Sequence, residues 1–307
     1  MFKIVGETHI DFLGMRKVGY ILSAALTLLG LVAAVQLWRG QGNLAIEFTG
    51  GTMVQGAFAQ PVAIGDLRTI LSDGGFPEAE IKALESRETP NSFMIRVKED
   101  AAGKTQAAQQ LVDLLKAKLP DNTFRVDSMH EVGPSVGETL RGQAGRATMI
   151  ALVCILIYIW FRFDFRFGVA STVATVHDVL AVLGILFVFQ REISLLVVSG
   201  LLTLAGFSLT DKVVVFDRVR ENLKQFRRRS DFAQTVNNSM NEVLSRTIVT
   251  GMTTQIAVII LMIFGGEVIF DFALTIFLGF IVGTYSSWFV ASPLVVDWEE
   301  RRPSRFK

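Results

Sequence analysis

The sequence predicts an α-helical polytopic membrane protein, with six transmembrane helices and one external α+β ferredoxin-like domain between helices 1 and 2. Three observations carry that prediction: six apolar runs that charges avoid, a mixed and turn-rich interval after the first run, and basic residues gathered in alternate connections. Hydrophobic residues make up 50% of the chain, a share that a soluble protein also reaches, so their distribution decides the class. Runs of about 18 or more apolar residues read as transmembrane helices, because roughly 20 residues at a 1.5 Å rise cross the hydrocarbon core.

The first run is Val18 to Trp38, behind a short segment 1–17 that ends in Arg16 and Lys17. It is longer than the roughly 7–15 residues of a signal-peptide core, and no small-x-small cleavage site follows, so an uncleaved helix 1 over 18–38 is expected. Residues 39–141 then change character. Strands are expected at Ala45–Phe48 and Thr52–Phe58, and a helix at Ile64–Ser72 stopped by Asp73-Gly74-Gly75. Two more strands, Glu80–Ser86 and Ser92–Lys98, join through the turn Thr89-Pro90-Asn91-Ser92. A second helix, Lys104–Leu119, carries Ala107, Ala108, Leu111, Leu114, Leu115 and Leu119 at helical spacing and ends at Pro120. A last strand covers Thr123–Val132. Strand-helix-strand twice over is the split β-α-β order of a ferredoxin-like domain.

Five further runs fall within 142–296: Gln143–Phe161, Gly168–Phe189, Ile193–Phe216, Arg246–Phe264 and Val268–Val296. The last exceeds the membrane thickness and must tilt or extend past the surface. Arg162-Phe163-Asp164-Phe165-Arg166 is a short basic connection, whereas Gln190-Arg191-Glu192 and Gly265-Gly266-Glu267 are tight and nearly neutral. The loop 217–245 is basic, with Arg218, Arg220, Lys224, Arg227, Arg228 and Arg229, and the tail 297–307 adds Arg301, Arg302, Arg305 and Lys307. Basic short loops mark the cytoplasmic side. Both termini and the basic loops are therefore expected inside, and the 39–141 domain outside. Lys+Arg 30 against Asp+Glu 29 gives no basic face for nucleic acid. Cys154 is the single cysteine, which excludes an intrachain disulfide; inside an apolar run it reads as a small buried hydrophobe.

Ionisable groups inside hydrocarbon cost at least a few kcal/mol each, on the order of 2.5–3.5 on insertion scales, so they mark function. His177 and Asp178 fall near the middle of the third run, and Asp211 lies in the fourth, followed at once by Lys212. Arg246 opens the fifth, ahead of Thr250, Thr253, Thr254 and Gln255. Helical spacing puts Ser171, Thr175 and Asp178 on one side of helix 3, places Ser208 three residues before Asp211 with Gly206 close by, and lines Arg246 with Thr250, Thr253 and Thr254 on helix 5. Hydroxyl groups on the face of a charge indicate a face turned toward protein or water. Two readings stand. In one, Asp211 and Asp178 relay a proton or ion and Arg246 sets their affinity. In the other, the charges form a static buried pair, with Arg246 or Lys212 reaching the interface. Lys212 is expected near the cytoplasmic surface, and His177 fits a packing histidine as well as a proton carrier. On helix 6, Gly279, Gly283, Ser287 and Ala291 lie four apart, a small-residue row for close helix packing. Metal-ligand clusters, phosphate-cradling glycine loops and nucleophile–base sets are absent from the sequence, so no enzyme chemistry is predicted.

Six segments in order resemble the SecD/SecF family of protein-export membrane proteins, a branch of the resistance-nodulation-division superfamily, and within it the SecF members. They are Ile46-Glu47-Phe48-Thr49-Gly50-Gly51; Val132-Gly133-Pro134-Ser135-Val136-Gly137; Asp211 through Asn222; Asn238-Ser239-Met240-Asn241 with Leu244-Ser245-Arg246-Thr247; Phe264-Gly265-Gly266; and Gly283-Thr284-Tyr285-Ser286-Ser287. The resemblance implies a bacterial plasma (inner) membrane protein that pairs with SecD beside the SecYEG channel. The pair would use the proton gradient, or sodium in some organisms, and no other cofactor, to complete translocation of an exported unfolded polypeptide. YajC and YidC are further implied partners. Asp211 falls on the family's ion-coupling aspartate and Arg246 on its functional arginine, with a second aspartate supplied by SecD. Asp178 and His177 match a His-Asp pair, and Gly133, Pro134 and Gly137 would form the hinge between domain and membrane. This sequence departs from the family pattern at Glu47 (usually Asp), at Thr210 and Lys212 (usually Asn and Thr) and at Gly251 (usually Ser), the last expected only to loosen packing. The rival readings are a small-molecule transporter on the same architecture and a structural subunit of the channel without ion flow.

Overall fold

The computed structural model describes residues 8–40, 42–84, 91–97, 107–225 and 231–303. The chain divides into two compact units, Leu44–Arg146 and the remainder. Helix α1 is Arg16–Trp38.

In the first unit, Ile46–Thr49 forms one helical turn, α2, where a strand was expected over Ala45–Phe48. The reason is local: α2 ends at Gly50, and Gly50 and Gly51 both take positive φ, 72° and 132°, a reversal that L side chains resist and that turns the chain into β1 (Gly51–Phe58). Helix α3 (Ile64–Asp73) and strands β2 (Glu80–Leu84) and β3 (Ser92–Val97) follow; the expected Thr89-Pro90 turn lies outside the described residues. Helix α4 (Ala107–Lys118) and β4 (Phe124–Val132) complete the unit. The sheet order is β2-β3-β1-β4, every neighbour antiparallel, which is the split β-α-β topology. Burial alternates along β1, so Val54 and Phe58 face a core closed by Leu67 and Leu71 of α3 and by Leu111 and Leu115 of α4. A bulge falls at Gln55/Gly56 against β4. There a Cβ on residue 56 would lie 2.3 Å from the Arg125 carbonyl oxygen. Helix α5 (Pro134–Arg162) starts with proline, whose missing N–H no helix needs at that position. A Cβ at Gly137 would come within 2.8 Å of the Gly50 nitrogen, so two of the family-like segments touch each other.

Among the described residues, six helices are long and apolar enough to cross a membrane: Arg16–Trp38, Ser135–Arg162, Phe165–Val188, Leu195–Gln225, Phe232–Phe264 and Ile269–Arg301. The third to fifth are α6 (Phe165–Val188), α7 (Leu195–Gln225) and α8 (Phe232–Phe264). The last combines α9 (Gly266–Ser286), a π-helical turn (Ser287–Ala291) and α10 (Ser292–Arg301). At that turn Ser292 donates both its backbone N–H and its hydroxyl, the latter at 2.8 Å, to the carbonyl of Ser287, five residues back. Pro293, which has no N–H, follows immediately.

The expected loop 217–245 is helical over 217–225 and 232–245, and this corrects the sequence reading: α7 continues to Gln225 and α8 begins at Phe232, after an extended Asp231. Charge signalled a loop, but here the polar groups hold two helices together. Asn222 bonds Ser239 Oγ and Glu242, both at 2.9 Å, and Arg218 reaches Glu242 and Glu221 at 2.5 and 2.6 Å. Arg227, Arg228 and Arg229 lie outside the described residues. Asn237 and Asn241 of α8 clasp the backbone of residues 10–13, and Phe12 enters the core beside Trp288 and Phe289. Cys154 is exposed on α5, contrary to the buried position expected of it.

Glycines set the helix crossings. A Cβ on Gly30 of α1 would stand 2.1 Å from the Leu180 carbonyl oxygen of α6, and one on Gly184 2.7 Å from the Gly30 nitrogen. Along α9, a Cβ on Gly279 would meet Leu204 at 2.7 Å and one on Gly283 would meet Ser208 at 3.2 Å, so this part of the small-residue row lies against α7. Ser287 and Ala291, further along the row, are buried, and Ser287 donates to the Gly283 carbonyl at 2.9 Å. Gly251 does more than loosen packing, because a side chain there would strike the Phe280 ring at 2.3 Å.

Candidate functional site

The close approach of α7 and α9 brings polar groups of three helices together around Asp178, which is fully buried on α6. One carboxylate oxygen, Oδ1, pairs with His177 Nδ1 at 2.8 Å. The other, Oδ2, accepts from Ser208 Oγ of α7, from Lys212 Nζ at 2.8 Å and from Ser286 Oγ of α9 at 2.8 Å. Lys212 Nζ also donates to Ser208 Oγ and, at 3.3 Å, to the Ser208 carbonyl one turn back. Four donors thus occupy one carboxylate, close to its full acceptor capacity.

Lys212 is 0% exposed with its Nζ bonded inside the chain, so its side chain does not reach out to the interface as one of the two sequence readings allowed. Positions 208 and 212 are four apart, so they share the α7 face that meets Asp178. A lysine so deep is tolerated only when paired, since an isolated ammonium in hydrocarbon is costly and a hydrogen-bonded counter-charge compensates it. Ser208 also turns out to serve Asp178 rather than Asp211.

Asp211 is buried but far less furnished. Among the described residues its one side-chain partner is the Thr284 hydroxyl of α9, at 3.1 Å to Oδ2. The two aspartates therefore sit in unlike settings on neighbouring helices, one saturated and ion-paired, the other with a single neutral donor. His177 keeps Nε2 buried and without a partner among the described residues, with the Tyr285 ring 6.5 Å away.

Arg246 does not join this group. Its side chain is exposed at the start of the apolar part of α8 and makes no hydrogen bond or ion pair among the described residues. Thr250, Thr253 and Thr254 return their hydroxyls to carbonyls of their own helix, at 2.8–3.2 Å, and so need nothing further. The face that carries Arg246 is thus open rather than turned into this chain. Sequence reasoning missed Ser286 and Thr284 as carboxylate partners; the signal available was a Gly-Thr-Tyr-Ser-Ser run inside an otherwise apolar helix. Gly133, Pro134 and Gly137 are distant in sequence from these groups and stand where β4 gives way to α5.

Residues 113–301 match the family model described as "Protein export membrane protein SecD/SecF, C-terminal". The protein translocase subunit SecF of Thermodesulfovibrio yellowstonii is 45% identical over 298 residues, which cover 96% of this chain and 97% of that one. The subunit SecDF of Thermus thermophilus is 37% identical over 97% of this chain, matching 40% of its own length. The crystal structure of that organism's SecDF, described as a translocon-associated membrane protein, superposes with a TM-score of 0.82 at 37% identity, over 96% of this chain and 39% of the other. A second SecDF structure, in a super-membrane-facing form, gives 0.68 at 38% identity.

Proposed function

The chain belongs to the SecD/SecF family of protein-export membrane proteins, and from that premise we propose that it forms one half of a gradient-driven export unit whose other half is SecD. The unit works beside the SecYEG channel in a bacterial inner membrane, with both termini in the cytoplasm and the 39–141 domain outside. It draws an exported unfolded polypeptide outward, with YajC and YidC as further associates. The fusion in the Thermus relative, whose name joins SecD to SecF and whose chain is matched over 40% of its length, supports a second half of comparable kind.

The observation that carries the coupling role is the unequal furnishing of the two aspartates. Asp178 is neutralised within the chain by Lys212 and held by three further donors, so it serves as a fixed anchor. Asp211, with one hydroxyl partner, is the carboxylate free to gain and lose a proton. Arg246, exposed on α8, then receives its counter-charge from the partner chain, and a change in that contact alters the field at Asp211. Gly133, Pro134 and Gly137, where the domain meets α5, pass the movement to the sheet unit. Substitution Asp211→Asn tests the role: gradient-dependent export in inverted membrane vesicles is expected to fall to the level seen without a gradient, and unchanged export would overturn the coupling role. A structural subunit without ion flow predicts that unchanged result.

A further inference from the structure

The group around Lys212 has the make-up of a cation site, and lysine already occupies it. Within reach of Nζ are a carboxylate oxygen, Asp178 Oδ2 at 2.8 Å, a backbone carbonyl, Ser208 O at 3.3 Å, and a hydroxyl, Ser208 Oγ. Ser286 Oγ closes on the same carboxylate oxygen at 2.8 Å. One and two turns back from Asp178 on α6, Thr175 and Ser171 hold buried hydroxyls with no hydrogen-bond partner among the described residues. Carboxylate, carbonyl and hydroxyl oxygens are what a hard cation takes when it sheds water. We infer that the Lys212 ammonium is a resident cation, which fills this cage in place of an inorganic monovalent ion and so makes the chain proton-selective rather than sodium-selective.

The physical grounds are two. A cation held by its own side chain is present at high effective concentration and cannot diffuse away, so sodium must displace it against both the tether and mutual repulsion at one carboxylate. Asp211 offers no second cage: a proton needs a single oxygen, whereas a dehydrated alkali ion needs several, and Asp211 has one hydroxyl neighbour among the described residues. Lys212 is in these terms a specificity-determining residue. Its consequence for coupling rests on the gradient-driven reading; the occupancy of the cage does not.

The occupancy is tested on the full chain purified with SecD, by thermal unfolding in sodium chloride against equimolar choline chloride. Wild type is expected to show no sodium-specific shift. Lys212→Ala, which opens the cage and leaves Asp178 unpaired, is expected to gain several degrees in saturating sodium, because an ion that binds only the folded state stabilises it. A sodium shift in wild type, or a folded Lys212→Ala protein that does not respond, overturns the inference. The double variant Asp178→Asn/Lys212→Ala removes both charges and guards against failure of the single variant to fold. It is expected to lose the sodium response, and a response there also overturns the inference. In export vesicles, collapse of the sodium gradient alone is expected to leave wild-type export unchanged and collapse of the proton gradient to abolish it. Dependence on sodium defeats the inference; indifference to both gradients defeats the gradient-driven reading instead.

Discussion

The polar cluster at Asp178 and the polar face that begins at Arg246 are built from similar residue types and come out opposite. At Asp178 three helices converge, and carboxylate, ammonium and hydroxyls satisfy one another inside a single chain. On α8 the threonines are satisfied by their own helix, and Arg246 is left outward with no partner among the described residues. A buried charge must be compensated where it sits, so the first cluster is a structural necessity of this fold. An exposed guanidinium at the edge of a membrane span carries no such debt to its own chain. The difference separates what the chain needs in order to fold from what it offers to another molecule.

Substitutions break or sharpen that contrast in a definite order. The largest effect is expected from Asp178→Ala, which strands the Lys212 ammonium; removing one partner of a buried pair costs about 3–5 kcal/mol, and detergent-solubilised protein should unfold at much lower denaturant. Ser286→Ala removes one hydrogen bond to the same carboxylate and should cost about 1.5–3 kcal/mol in the same assay; no change would mean that the remaining donors suffice. Gly283→Ala places a methyl 3.2 Å from Ser208 Cβ, and the overpacking should cost about 1 kcal/mol while loosening the Ser208 contact with Asp178. Arg246→Ala is expected to shift the stability of the isolated chain by less than about 0.5 kcal/mol, yet to reduce recovery of SecD in co-purification. A large loss of stability from Arg246→Ala would erase the contrast.

Much of this was legible in the residues. Six apolar runs become six long helices, because length and the absence of charge leave few alternatives in hydrocarbon. The alternation along β1 and the helical spacing of Leu111 and Leu115 led directly to the sheet and its covering helix. The errors share one cause, which is that a local signal carries no knowledge of the partner across the gap. Ala45–Phe48 reads as extended until the reversal at Gly50 is known. The charges of 217–245 read as solvated until Asn222 is seen against Ser239. Lys212 reads as a surface lysine until Asp178, thirty-four residues earlier, is found opposite it. Within the site, spacing placed Ser208 with Asp211, and no sequence rule assigns Ser208 or Ser286 to the Asp178 carboxylate across the gap.

The π-helical turn at Ser287–Ala291 has a consequence for length. Each residue of an α-helix advances the face by about 100°, so a wider turn holds one residue more than regular winding would and resets the phase of everything after it. With that phase, Asp297 meets Arg16 and Tyr20, both at 2.8 Å, and Glu299 meets Arg166. Deleting one residue from the turn would restore an unbroken helix and rotate these carboxylates away from their partners together. The turn is therefore a register adjuster, which lets one helix keep a small-residue seam along its first half and an ionic clasp along its second.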